Sequence, residues 1–216
     1  MSQLITMGIF GGTFDPVHNG HLRLALELKQ HLKLDEMRLL PCHRPPHREK
    51  PVLSSKHRVA MLRLALVQCQ QLSIDERELQ RPTLSYTLDT LIEMRNELGD
   101  RVSLCLAMGM DSLVSLPAWH RWQELLNFTH LIVAARPGWQ APVSGEVFNL
   151  LNQHRAEASV LAQRSCGSIV IEQLSLLPIS ASVIRAQIAR GESPQFLLPD
   201  SVWNYICENR LYGIDD

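Results

Sequence analysis

The chain has 216 residues, 45% of them hydrophobic, and 21 Lys and Arg against 22 Asp and Glu give a formal charge of −1. That length fits one domain, or one with a small appendage, and that apolar content buries a proper core, which excludes a disordered chain. Near-neutrality removes bulk attraction to nucleic acid or an anionic membrane, so anion binding has to come from local clustering.

Short apolar runs alternate with segments of helical period. "LITMGIF" (4–10) reads as a buried strand, and "HLRLALELKQHL" (21–32) carries Leu22, Ala25, Leu26 and Leu32 at helical spacing. "MRLLP" (37–41) is a second strand ended by proline, followed by a helix over 54–68 with Ser54 or Ser55 as its cap. "LSID" (72–75) gives a third strand, and 86–98 a helix stopped by Gly99. A fourth strand spans 101–109, a helix 119–128, and a fifth strand 130–136. The stretch 137–167 reads as a loop plus a peripheral helix, and 168–174 as a sixth strand. Two helices close the chain, over 179–193 and 198–212, the second capped by Asp200.

This rhythm predicts an α/β fold, a doubly wound, Rossmann-like parallel sheet flanked by helices. No linker separates two domains, so 1–216 reads as a single domain whose small C-terminal helical portion, 170–216, packs on the same site. The five cysteines (Cys42, Cys69, Cys105, Cys166, Cys207) include no CxxC pair and suit reduced thiols in a cytoplasmic protein. "MSQLITMGIF" lacks the features of a signal peptide, and no apolar run approaches the ~18–20 residues that span a bilayer.

"GIFGGTFDPVHNGHLRLALEL" (8–28) is the first strand-to-helix turn, at the edge where doubly wound folds collect ligands. Gly11 and Gly12 let backbone N–H groups approach a ligand. A helix starting near Asn19 or Gly20 offers its dipole to an anion. His18 and His21, three apart, project from its first turn. Neither GxGxxG nor GxxxxGK[ST] occurs, so a dehydrogenase is poorly supported and any phosphate site is of another design. The plainer reading is a common glycine turn with solvated histidine caps. A metal site is less favoured, because HxxH has no third ligand at a familiar spacing.

Within 42–58, Arg44, Arg48, Lys50, Lys56 and Arg58 face one acid, Glu49, which makes either a phosphate-binding loop or a solvated basic one. Trp119 could stack on a flat ring or lie in the core, whereas Trp122, at helical spacing with Leu125 and Leu126, suits the core. Asp111 could cap a helix over 112–116.

"HNGH" (18–21), within "GGTFDPVHNGHL", resembles the HxGH signature of the nucleotidyltransferase superfamily, related to class I aminoacyl-tRNA synthetases. "ISASVIR" (179–185) is similar to the superfamily's ISSTxIR pattern, with Ala181 and Ser182 replacing Ser and Thr. "PPHR" (45–48), "SYTLDTL" (85–91) and "GMDSLVSLPAWHRW" (109–122) resemble the bacterial nicotinate-nucleotide adenylyltransferase family more specifically. The resemblance implies adenylyl transfer from ATP to nicotinate mononucleotide, with release of pyrophosphate, as a step of NAD biosynthesis. It implies an ATP site of Phe10, Gly11, Gly12, Thr13, His18, His21, Gly109, Asp111, Arg136, Ile179, Ser180 and Arg185. His18, His21 and Arg185 would act in catalysis. Nicotinate mononucleotide would meet His47, Arg48, Tyr86, Thr87, Trp119 and His120. Mg²⁺ would arrive with ATP rather than in a protein cage. The implied partners are these small molecules, with no nucleic acid and no membrane, and a homo-oligomer stays open. So do other acceptors, nicotinamide mononucleotide or pantetheine phosphate among them, a cytidylyltransferase, and a non-catalytic nucleotide-binding module.

Overall fold

Strand and helix alternate through the residues described by the computed structural model: 3–44, 51–81 and 83–214. The strands are β1 (Ile5–Gly12), β2 (Glu36–Pro41), β3 (Ser73–Ile74), β4 (Val102–Gly109), β5 (His130–Ala135) and β6 (Ile169–Gln173). The helices are α1 (Asn19–His31), α2 (Ser55–Leu66), α3 (Thr87–Leu98), α4 (Met110–Val114), α5 (Glu146–His154), α6 (Ala181–Ala189) and α7 (Asp200–Glu208). The strands form one sheet in the order β3-β2-β1-β4-β5-β6, every pairing parallel. This is the doubly wound order, and its direction reverses between β1 and β4, where Phe10 stands opposite Ala107.

Side chains two apart along each strand share a face, which sorts the apolar residues into two cores. Leu104, Leu106 and Met108 of β4 and Leu131 and Val133 of β5 pack with Leu88, Leu91 and Met94 of α3. Cys105, Ala107, Ile132 and Ala134 point the other way, toward Leu28, Met61, Leu62, Ile184, Val202 and Ile206 from α1, α2, α6 and α7. The last two helices therefore share the core of the first two. Small residues keep that side close: a Cβ on Gly8 would lie 2.5 Å from Met37 Sδ and 2.8 Å from Leu34 Cδ1.

Some sequence expectations shift. No α-helix covers 119–128: 3₁₀ turns at Leu116–Ala118 and Trp122–Asn127 flank an extended Trp119 and a left-handed Arg121 (φ 50°). A left-handed residue cannot continue a right-handed helix, and the break lets Trp119 and Trp122 both reach the α3-side core. The third strand shrinks to two residues at the sheet edge. Asp200 lies in the first turn of α7 and Asp111 inside α4, with Pro199 and Gly109 at the cap positions. Ser54 caps α2 by position only, without a side-chain bond. The 137–167 stretch is a loop, then α5, whose Val147 and Leu151 are buried, then a 3₁₀ turn at Ala158–Ala162. It closes the end of the sheet opposite the carboxyl termini of β1 and β4: Leu4 and Leu104 donate their N–H to Ala162 and Ser165.

Candidate active site

At the N-terminus of α1, His18 sits extended at the cap position and its Nδ1 accepts the His21 N–H at 3.3 Å. His21 Nδ1 accepts the His18 N–H at 3.4 Å in return. This reciprocal pair is a capping box, with two imidazoles in place of the usual hydroxyl and carboxylate. An Nδ1 that accepts cannot carry a proton, so in each neutral ring the hydrogen resides on Nε2. The rings stack at 3.6 Å between centroids and 20° between planes. Gly20 makes the stack sterically feasible, since a Cβ there would lie 3.0 Å from His18 Nδ1.

His18 is 4% exposed, and burial lowers its pKa to about 4. At neutral pH it is uncharged and supplies a hydrogen bond rather than a positive charge. The solvated-cap reading is therefore half right: His18 caps, but it is not solvated.

β1 and β4 end beside this pair. A Cβ on Gly11 or Gly109 would meet no atom within 4 Å, so neither is glycine because of protein packing. Both line a cavity of about 800 Å³ at the sheet's switch point. Gly12 has an internal reason, because a Cβ would lie 2.8 Å from the ring of Phe14. That buried ring meets His21 edge-on at 5.1 Å.

The C-terminal motif joins the bend through Arg185, whose Nη1 donates to the Asp15 carbonyl at 2.7 Å. Asp15 also ties together distant segments: its carboxylate accepts from Tyr212 Oη at 2.6 Å and from the Val52 N–H at 2.7 Å. Ser180 and Ser182 share a hydroxyl bond of 2.8 Å at the start of α6, so the hydroxyl missing at Ala181 has a neighbour on each side. Arg58 differs from both sequence readings of the basic stretch. It is 1% exposed and donates to the Thr13 carbonyl at 2.5 Å, which makes it a brace under the bend rather than a free or solvated cation.

Tyr86, Thr87, Trp119 and His120 bound another part of the cavity, with the Tyr86 and His120 rings 4.3 Å apart. Thr87 opens α3, where backbone N–H groups lack helical acceptors. Every expected ATP-site residue lines the cavity: Phe10, Gly11, Gly12, Thr13, His18, His21, Gly109, Asp111, Arg136, Ile179, Ser180 and Arg185. His47 and Arg48 lie outside the described residues. Asp15, Cys42, Glu78, Ser85 and Ser182 also line it. Asp15, Ser85 and Ser182 stood inside the quoted motifs and could have been named. Glu78, in the charged run "DERELQR" (75–81), carried no motif that singled it out. Among the described residues no group of three or more His, Cys, Asp or Glu could hold a metal ion, and no helix is long and apolar enough to cross a membrane.

A family model described as cytidylyltransferase-like matches residues 9–187. A Cellvibrio japonicus (strain Ueda107) protein named "Probable nicotinate-nucleotide adenylyltransferase" is 58% identical over 207 residues, covering 96% of this chain and 98% of that one. A protein of the same name from Aeromonas hydrophila is 50% identical, over 95% and 96% of the two chains. Among solved structures, Plasmodium falciparum nicotinic acid mononucleotide adenylyltransferase complexed with NaAD matches with a TM-score of 0.73 at 15% identity. The match covers 97% of this chain and 98% of that one. At that identity the likeness speaks for the fold alone.

Proposed function

The chain belongs to the cytidylyltransferase-like family, and from that premise we propose that it transfers the adenylyl group of ATP to nicotinate mononucleotide, giving nicotinate adenine dinucleotide and pyrophosphate, a step of NAD biosynthesis. The observation that carries this reading is the single cavity that gathers the stacked His18–His21 pair, the bare strand ends Gly11 and Gly109, Arg185 and the Tyr86–Trp119–His120 wall. The identity of 58% to a relative of that name supports the substrate assignment.

An oxygen of the acceptor's phosphate attacks the α-phosphorus of ATP, and the bond from that phosphorus to the bridging oxygen of the β-phosphate breaks. A mononucleotide phosphate is already ionised at neutral pH, so the attack needs no general base. What it needs is relief of repulsion between anions, in-line alignment and stabilisation of the leaving pyrophosphate. The two Nε2–H donors of His18 and His21 and the N-terminus of α1 would meet the α- and β-phosphates. Preorganised donors of this kind cost no reorganisation as charge develops. Arg185 spends one of its five N–H groups on Asp15, leaving the others, with Ser180 at the head of α6, for pyrophosphate. Gly11 and Gly109 leave room for the nucleotide against the sheet, beside Phe10, Gly12, Thr13, Asp111, Arg136 and Ile179. Trp119 would stack on the pyridine ring, while N–H groups near Thr87 and His120 receive its carboxylate, and His47 and Arg48 would meet the acceptor's phosphate.

Mg²⁺ belongs to the ATP substrate in this reading. The carboxylates of Asp15 and Glu78 are occupied by protein donors, and Asp111 is the exposed acid lining the cavity. The whole chain, 1–216, would act as one nucleotidyltransferase domain, with 170–216 contributing Ser180 and Arg185 to the same site. Five cysteines outside any disulfide suit a cytoplasmic setting.

The test is turnover of the purified protein with ATP and Mg²⁺ against nicotinate mononucleotide, nicotinamide mononucleotide and pantetheine phosphate, scored by pyrophosphate release. Highest kcat/KM is expected with nicotinate mononucleotide. A preference for another acceptor would reassign the substrate, and saturable ATP binding without turnover would leave a binding module.

A further inference from the structure

Glu78 is 4% exposed, yet it lines the cavity beside Cys42, Ser85, Tyr86 and Thr87. Its Oε1 accepts the Thr90 hydroxyl at 2.8 Å. Thr90 Oγ1 in turn accepts from Arg81 Nη1 at 2.7 Å, and its own proton has the carboxylate at 2.8 Å against the Tyr86 carbonyl at 3.5 Å. Ser85 is fixed the same way: its Oγ accepts the His43 and Arg44 N–H groups at 3.2 and 3.3 Å, leaving its one hydrogen for Glu78. The Cys42 thiol is a third donor.

Donors converging on one carboxyl favour the ionised form. Yet among the described residues no Lys, Arg or His makes a salt bridge to it. Arg81, the cation that acts on it at longer range, is bonded to Thr90 and paired with Glu93. Burial accordingly pushes the Glu78 carboxyl above its ordinary range, the sign of a charge whose desolvation is incompletely repaid. A buried carboxylate at a cavity wall without an ion pair is suited to a cation supplied by the ligand.

Nicotinate mononucleotide carries such a cation, because the ring nitrogen bonded to ribose is a quaternary pyridinium. We propose that the Glu78 carboxylate is the counter-charge of the acceptor's pyridinium ring and makes the site selective for the oxidised ring over its neutral 1,4-dihydro form. This rests on the proposed function and deepens it. The acid and amide mononucleotides share the ring charge, so Glu78 selects ring oxidation state, whereas the N–H groups near Thr87 and His120 address the substituent.

The experiment compares kcat/KM for nicotinate mononucleotide and its 1,4-dihydro form, in the unsubstituted protein and in Glu78→Gln, with thermal unfolding followed in parallel. The unsubstituted protein should favour the cationic acceptor by about tenfold or more, the order of a partly screened charge pair a few ångströms apart. Glu78→Gln should lose about tenfold on the cationic acceptor, through KM, and change less than about twofold on the dihydro form. An equal loss on both acceptors would reduce Glu78 to a packing role and overturn the proposal. So would the absence of a ring-charge preference in the unsubstituted protein, a measurement that stands even if the variant does not fold. No turnover of the unsubstituted protein with any pyridine mononucleotide would overturn the proposed function itself, an outcome distinct from both.

Discussion

Gly20→Ala should separate activity from stability. Gly20 lies in the first turn of α1, and an added Cβ would stand 3.0 Å from His18 Nδ1, 3.1 Å from His18 Cε1 and 3.4 Å from Ile179 Cβ. Optimal contacts lie at about 3.5–4.0 Å, so the imidazole must retreat by roughly 0.5 Å. Any such movement alters the 3.6 Å stack with His21 and the two Nδ1 bonds, already long at 3.3 and 3.4 Å. Replacing glycine by alanine within a helix contributes about 1 kcal/mol, against the loss of a cap worth about 1 kcal/mol. The net change in stability should fall within about 1 kcal/mol of zero. Catalysis has no such compensation. Misplacement by 1 Å can cost 10²-fold, so half that should lower kcat by about tenfold. Urea unfolding monitored by circular dichroism gives the first number and pyrophosphate release at saturating substrates the second. Full kcat in the variant would refute the claim that the stacked geometry matters, and a kcat loss that merely tracks the unfolded fraction would refute the separation.

His21→Ala should lower kcat by ~10²-fold or more, the usual cost of one preorganised donor, with the far-ultraviolet spectrum unchanged; near-normal kcat would remove the residue from the mechanism. Trp119→Ala should raise KM for the pyridine nucleotide and spare that for ATP in steady-state kinetics, and equal losses on both would count against stacking. His18 sets a pH dependence of stability. Its pKa is about 4 folded against an ordinary 6.5, so the unfolded chain binds more protons between those values and stability rises with pH across that window. The contribution, about 3 kcal/mol, is fully present above pH 6.5 and lost as the pH falls toward 4. Urea midpoints of the native protein and His18→Gln should converge toward pH 4, and parallel pH profiles would contradict the burial argument.

Two arginines share one task in this fold. Arg58 braces the Thr13 carbonyl, and Arg95 gathers the carbonyls of Phe128, Gly99, Val102 and Ser165 at the opposite end of the sheet. A guanidinium has five donors in a fixed fork, so one side chain can satisfy several carbonyls at once where loops meet the sheet.

The sequence alone determined the parallel sheet, because fully buried strands must be apolar along their whole length and helices repeat on a different period, and both patterns are local. The bend at 8–21 was legible for the same reason: its glycines and histidines are contiguous. It was equally blind wherever the deciding contact is distant in the chain. Arg58 could not be told from the other cations of 42–58 until the fold set it beneath Thr13. Tyr212 carried no signal until it reached Asp15, 197 residues away, and Glu78 carried none until Thr90 and Ser85 closed over it. Whether a charged side chain meets water, a carbonyl or a ligand depends on desolvation by segments remote in sequence, and only the tertiary structure decided that.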